Sequence, residues 1–128
     1  MRPKRKAHES GAAAVEFALI LPVFVLMIVG MIEFSRLYNV QISLSNAARE
    51  GARVMAIYNN TGTASSAAVA AAPGLSPALT SGEISISPGT CAYGQTVTVS
   101  ITHTVPLITD YFGISIPLHA KGVMLCGG

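Results

Sequence analysis

The residue that most demands a chemical reason is Glu16. The run GAAAVEFALILPVFVLMIVGMIEFSR, from Gly11 to Arg36, is otherwise apolar until Glu33. A carboxylate at the centre of a membrane helix costs on the order of 2.5–3.5 kcal/mol, so it asks for compensation. One account is local: near the end of a span, the side chain reaches back to the headgroups. The other is chemical. A cut after Gly11 would leave the α-amino group of Ala12 one helical turn before Glu16. In an assembly, the acid of one subunit could then neutralise the amine of a neighbour, which offsets the membrane cost of each.

The remaining reactive side chains are sparse. Cys91 and Cys126 lie beyond the apolar run, in a part expected to leave the cytoplasm. An oxidising compartment favours a disulfide between them, and closing such a loop would stabilise a small domain by roughly 3–4 kcal/mol. Two free thiols or metal ligands are the alternatives, but there is no CxxC and no His at ligand spacing. His8, His103 and His119 are scattered, and Glu83 and Asp110 are the only acids after Glu50. Nothing forms a triad or a phosphate-binding loop. The expectation is a chain that is not an enzyme, with no metal, no cofactor and no small-molecule substrate.

The elements that must position these groups follow from patterning. A hydrocarbon core about 30 Å thick needs roughly 20 apolar helical residues, which Ala12–Ile32 supplies. Arg2, Lys4, Arg5 and Lys6 stand just upstream. Basic residues stay on the cytoplasmic side, so the C-terminal part should cross the membrane. A solvated tail or a nucleic-acid patch would explain the charges too, but no second basic patch or aromatic platform supports nucleic acid as a partner. A cleavable secretory signal would want small residues after the apolar run, where the chain instead reads MIEFSR.

Residues 1–10 are expected to be short and disordered, with one long helix from about Ala12, bent near Pro22. Glu33 and Arg36 can pair at i,i+3. Beyond them, Leu37, Val40, Leu44, Ala47, Ala48, Gly51, Val54, Met55 and Tyr58 form one apolar stripe. Asn59-Asn60-Thr61-Gly62 should stop the helix. Ala64–Ala72 reads as either a short helix capped by Thr63 or a low-complexity linker. Strands are expected at Glu83–Ser87, at Gln95–Val105, which alternates strictly, and at Ser115–Leu125, broken or started by Pro117. Turns fall at Pro88-Gly89 and around Asp110–Gly113. The fold class is α+β: a long N-terminal membrane-spanning helix, then a small antiparallel sheet of three or four strands. The expected divisions are a basic leader (1–11), a transmembrane helix (12–35), an amphipathic extension (36–60), a linker with a possible short helix (61–81) and a β domain (82–128).

The basic leader, Gly11, Glu16-Phe17 and the apolar run resemble a type IV prepilin-type leader. GAAAVEFALILPVF, IEFSRL and NAAREGARVMA together resemble the TadE-like family, minor pseudopilins of the tight-adherence (Flp/Tad) pilus. The resemblance implies a pilin-like architecture, cleavage between Gly11 and Ala12 by a prepilin peptidase, and an assembly role for Glu16 and Phe17. Ser35 stands where the family more often has Gly. In NAAREGAR, Ala47, Ala48, Gly51 and Ala52 are small residues that permit close helix approach, either to other subunits or to the chain's own sheet. The resemblance also implies a single-pass protein of the bacterial inner membrane, N-terminus cytoplasmic, with its C-terminal domain periplasmic or in an extracellular pilus. Its partners would be the membrane, the peptidase and other pilin and pseudopilin subunits. The alternatives are an uncleaved membrane-anchored tether or sensor, and a secreted domain released by signal peptidase.

Overall fold

The computed structural model describes residues 6–108, 110 and 113–127. The leader residues Arg2, Lys4 and Arg5, and Tyr111 and Phe112 of the second expected turn, lie outside them. The chain divides into two compact units, Met1–Ser35 and Arg36–Gly128.

Helix α1 runs from Lys6 to Tyr58 with Pro22 inside it. It begins before Ala12 because nothing after Pro3 breaks a helix, and Glu9 in the first turn complements the helix dipole. From Glu9 to Ile32 its side chains are exposed apart from the half-buried Val29, and an apolar surface on every side is the pattern of a candidate membrane span. Its second half has one buried face, built on Leu44, Ala47, Ala48, Ala52 and Met55. Tyr58, expected on that stripe, is exposed, because the helix stops there. Asn59 takes a left-handed conformation (φ 48°), which Asn tolerates better than most residues.

Asn60 then starts α2, Thr61–Ala70, and its Oδ1 accepts the Thr63 N–H at 2.9 Å. The segment is therefore a helix, and its cap is Asn60 rather than Thr63. Thr63 supplies the capped backbone donor. A 3-10 turn, Ser81–Glu83, leads into β1 (Ile84–Ser87), so Glu83 belongs to the turn and not to the strand. Strands β2 (Thr96–Pro106) and β3 (Ser115–Leu125) complete an antiparallel sheet in the order β1-β2-β3. Pro117 sits within β3, opposite Thr104, and is tolerated because β3 is an edge strand.

The alternation in β2 turns Val97, Val99, Ile101, His103 and Val105 inward. Ile84, Ile101 and Ala120 stand opposite one another across the three strands. The inner face of the sheet joins Leu44, Ala48 and Ala52 of α1 and Ala68 of α2 in one core, while Val97, Met55, Ala64 and Cys126 form a second cluster. This core is short of bulky side chains and relies on backbone approach. A Cβ on Gly122 of β3 would overlap the Ala48 carbonyl and lie 2.6 Å from the Arg49 nitrogen. A Cβ on Gly51 would stand 3.1 Å from the Ala68 methyl and 3.4 Å from Val99.

Because a helix backbone cannot yield as a side-chain tip can, Gly122→Ala should destabilise the domain by about 2–3 kcal/mol. That corresponds to a Tm lowered by roughly 10 °C. Gly82→Ala, which meets open space, should stay within about 0.5 kcal/mol of the parent. Thermal unfolding of the full chain in detergent, followed by circular dichroism, measures both.

Candidate functional site

Gly11, Ala12, Glu16 and Phe17 all lie on α1 in the first unit, and all are exposed. A Cβ on Gly11 would meet nothing within 4 Å. Ala12 and Glu16 are one turn apart on the same helix face. Among the described residues, one helix is long and apolar enough to cross a membrane: Glu9–Tyr58, with a peak mean hydropathy of 2.6.

The second group of expected site residues lies in the other unit. Ala47, Ala48, Gly51 and Ala52 are buried, with Ala47, Ala48 and Ala52 closed completely by the chain's own elements. Gly51 faces Ala64, Ala68 and Val99, and Ala48 faces Gly122. The small-residue stripe therefore serves the packing of this domain on its own helix.

Cys91 and Cys126 form a disulfide, with 35 residues of separation and a Cα–Cα distance of 5.5 Å. Three backbone-directed hydrogen bonds hold it in place. Cys91 N–H donates to Asn59 Oδ1 at 2.6 Å, Cys126 N–H to the Gln95 carbonyl at 2.7 Å, and Gly94 N–H to the Cys126 carbonyl at 3.2 Å. Asn59 thus ends α1 with its backbone and secures the disulfide loop with its side chain. Its left-handed stop was readable in sequence; a side-chain bond across 32 residues was not.

Two further polar contacts tie α1 to the sheet. Arg36 Nη1 donates to the Pro106 carbonyl at 2.9 Å, and Gln41 Nε2 to the His119 carbonyl at 2.7 Å. On the inner face of β2, His103 is buried and its Nδ1 lies 2.8 Å from Glu83 Oε1. Glu83 Oε2 accepts from Thr80 twice, from N–H at 2.8 Å and from the hydroxyl at 2.9 Å. Partial burial pushes the Glu83 carboxyl up, but the hydrogen bonds from Thr80 and His103 outweigh it and leave its pKa below the usual carboxylate value. Spacing gave one usable signal for this pair: His103 falls on the inward side of the β2 alternation, where a buried imidazole needs a partner. Among the described residues, no group of three His, Cys, Asp or Glu side chains could hold a metal ion.

An apolar helix long enough to cross a membrane continues into a small, disulfide-closed α+β domain. Residues 11–53, which run from Gly11 through the buried small-residue stripe, match the family model described as TadE-like protein. No curated protein and no solved structure matches the chain.

Reduction of Cys91–Cys126 should lower the stability of the domain by roughly 3–4 kcal/mol, read as a fall in Tm with and without reductant. Glu83→Gln should cost roughly 1 kcal/mol at neutral pH, because a charge-assisted contact becomes a neutral one. The folded pKa of Glu83 is depressed, so its contribution is complete above the ordinary value of 4.5 and is lost as pH falls through the folded value. Parent and variant stabilities should therefore converge in acid, as checked by denaturant unfolding across pH.

Proposed function

We propose that this chain is a minor pseudopilin-like component of a Tad pilus. On this reading α1 anchors it in the bacterial inner membrane with the N-terminus cytoplasmic. The domain from Arg36 onward is then periplasmic or carried in an extracellular pilus, where it supports pilus biogenesis, adherence or secretion. The observation that carries the reading is the place where the family match begins. It starts at Gly11 itself, with Glu16 and Phe17 following at the spacing of a prepilin-type leader.

A prepilin peptidase would cut between Gly11 and Ala12 and leave the basic leader behind. Gly in a helix is about 1 kcal/mol less favourable than Ala, which eases local unwinding of α1 to present an extended peptide bond. After the cut, Glu16 of one subunit neutralises the Ala12 amine of a neighbour while both lie in lipid. Phe17 packs beside that pair against other pilin and pseudopilin helices.

One observation favours a second reading, an uncleaved membrane-anchored tether or sensor domain. The stripe Ala47, Ala48, Gly51 and Ala52 is closed by the chain's own domain, so this part of α1 has its partner already. Under that reading, Glu16→Ala leaves export and function intact.

The deciding measurement is the N-terminal residue of the protein from native membranes, with and without the prepilin peptidase. A peptidase-dependent start at Ala12 supports the pseudopilin. A retained Met1 end in piliating cells overturns it in favour of the tether. Where Ala12 is the mature end, Glu16→Ala should reduce surface pili strongly while the protein remains in the membrane fraction, as shown by immunoblotting of sheared and membrane fractions.

A further inference from the structure

We propose that the outer edge of β3, from Lys121 to Leu125, takes an antiparallel strand from a partner protein. The strand that fits carries apolar, apolar and acidic side chains at alternate positions. The inference starts from the direction in which the β3 backbone points. In an antiparallel ladder each residue turns its N–H and carbonyl to the same side, and successive residues alternate. The Ile114 carbonyl accepts from Leu107, the Cys126 N–H donates to Gln95, and the Cys126 carbonyl accepts from Gly94. The β2–β3 register runs unbroken from Pro106–Ser115 to Thr96–Leu125. Even-numbered residues of β3 therefore bond β2, and odd-numbered ones face away from it. The bond from Gln41 Nε2 to the His119 carbonyl agrees, since it comes from outside the ladder. Because β3 is an edge strand, Lys121, Val123 and Leu125 hold outward N–H and carbonyl groups that no strand pairs among the described residues.

The open stretch is short and bounded. Toward the start of β3, Pro117 has no N–H to offer, and the His119 carbonyl is held by Gln41. Beyond Leu125, Cys126 is fixed by the disulfide and Gly127 turns the chain with a φ of 79°. Between these limits lies about 14 Å of strand. An unpaired edge is a template for a further strand, and main-chain pairing of this kind is a recurrent way to bind an extended peptide.

The side chains along the edge select the strand. Val123 and Leu125 are 54% and 56% exposed on the outer face, where their cross-strand neighbours are Thr98 and Thr96. Tyr93, 90% exposed, lies against Gly127 just beyond Leu125. An added strand with apolar residues opposite Val123 and Leu125 covers both. Lys121 is exposed on the same face. Opposite charges directly across a ladder stabilise it, so the residue facing Lys121 is an acid. A second copy of this chain fits less well. An antiparallel register that pairs all three residues with their copies centres on Val123 and sets each Lys121 opposite a Leu125. Both cations would then face apolar side chains.

Hydrogen exchange of the full chain in detergent micelles, read by amide NMR, tests this. The probe is a capped peptide that alternates valine with threonine and carries glutamate at the position opposite Lys121. Without peptide, the amides of Lys121, Val123 and Leu125 should exchange fast, and those of Gly122 and Met124 slowly. Bound peptide should slow the three outward amides several-fold. Methylation of the peptide's bonding amides should weaken binding roughly tenfold or more, and so should Val123→Pro, which an edge strand tolerates as it does Pro117. Replacing the peptide's glutamate by lysine should weaken binding, and Lys121→Glu should restore it. A peptide that does not bind at millimolar concentration, or that binds without slowing the three amides, overturns the proposal. Outward amides that are slow in the free chain at every concentration would mean that the edge is already covered, and they overturn it too. Slowing that grows with the concentration of the chain would assign the edge to a second copy, which also overturns it.

Discussion

The domain depends on how closely β3 can approach the α1 backbone. At Gly122 the strand meets the Ala48 carbonyl at a distance that admits no side chain. Ala47, Ala48, Gly51 and Ala52 keep the facing helix surface equally flat. Contact between two nearly bare backbones gives dispersion over many atoms but little apolar area per residue. This explains why so much of the buried surface is alanine, valine and glycine, with Leu44 and Met55 as the largest buried apolar residues of α1.

A core of small side chains leaves stability to be found elsewhere, and the polar contacts are placed accordingly. Asn59 binds Cys91 at one end of the helix–sheet contact, Arg36 binds Pro106 at the other, and Gln41 binds His119 between them. Each joins a helix side chain to a backbone group of the β region, so each fixes register along α1 without needing volume. The disulfide joins the segment before β2 to the residue that follows β3. His103 and Glu83 join the middle strand to the turn that leads into the first one. Thr80 holds Glu83 in place from the other side. Charge-assisted contacts of this kind are worth more where the site is partly dry.

Much of the framework was legible in sequence because its signals were long and periodic. The apolar run, the i,i+3/i+4 stripe and the strict alternation of β2 each repeat over many residues, so local exceptions do not disguise them. The limits were local and physical. Asn59 and Asn60 share one side-chain type but do opposite things: the first ends α1 in a left-handed conformation, and the second caps α2 from an extended one. Thr63 has a capping side chain but serves through its N–H. Glu83 reads as the start of a strand, yet it is claimed by the turn because its carboxylate bonds back to Thr80. For the candidate site, Gly11, Glu16 and the Cys pair stood out by residue type. The Glu83–His103 and Asn59–Cys91 contacts join residues 20 and 32 apart; alternation marks His103 as inward, but no local pattern names either partner.

The same division of α1 constrains any assembly it enters. Helices associate in lipid through small residues and polar groups, since apolar side chains gain little by leaving lipid for one another. In the second half of α1 the small residues are already spent on the sheet and α2. On the proposed reading, a neighbouring subunit must therefore be recognised through the first half. Between Ala12 and Ile32 the small residues are Ala12–Ala14, Ala18 and Gly30, and the one charge is Glu16. Ala12, Ala13 and Ala14 stand within one turn of Glu16 on a surface that is open throughout. Close approach and charge pairing would then be offered at the same level of the helix. A neighbour that fits the alanines but brings no cation leaves Glu16 unpaired in lipid. One that brings the cation but not the fit cannot reach it. Selectivity would arise from requiring both, in a stretch otherwise too uniform in chemistry to distinguish partners.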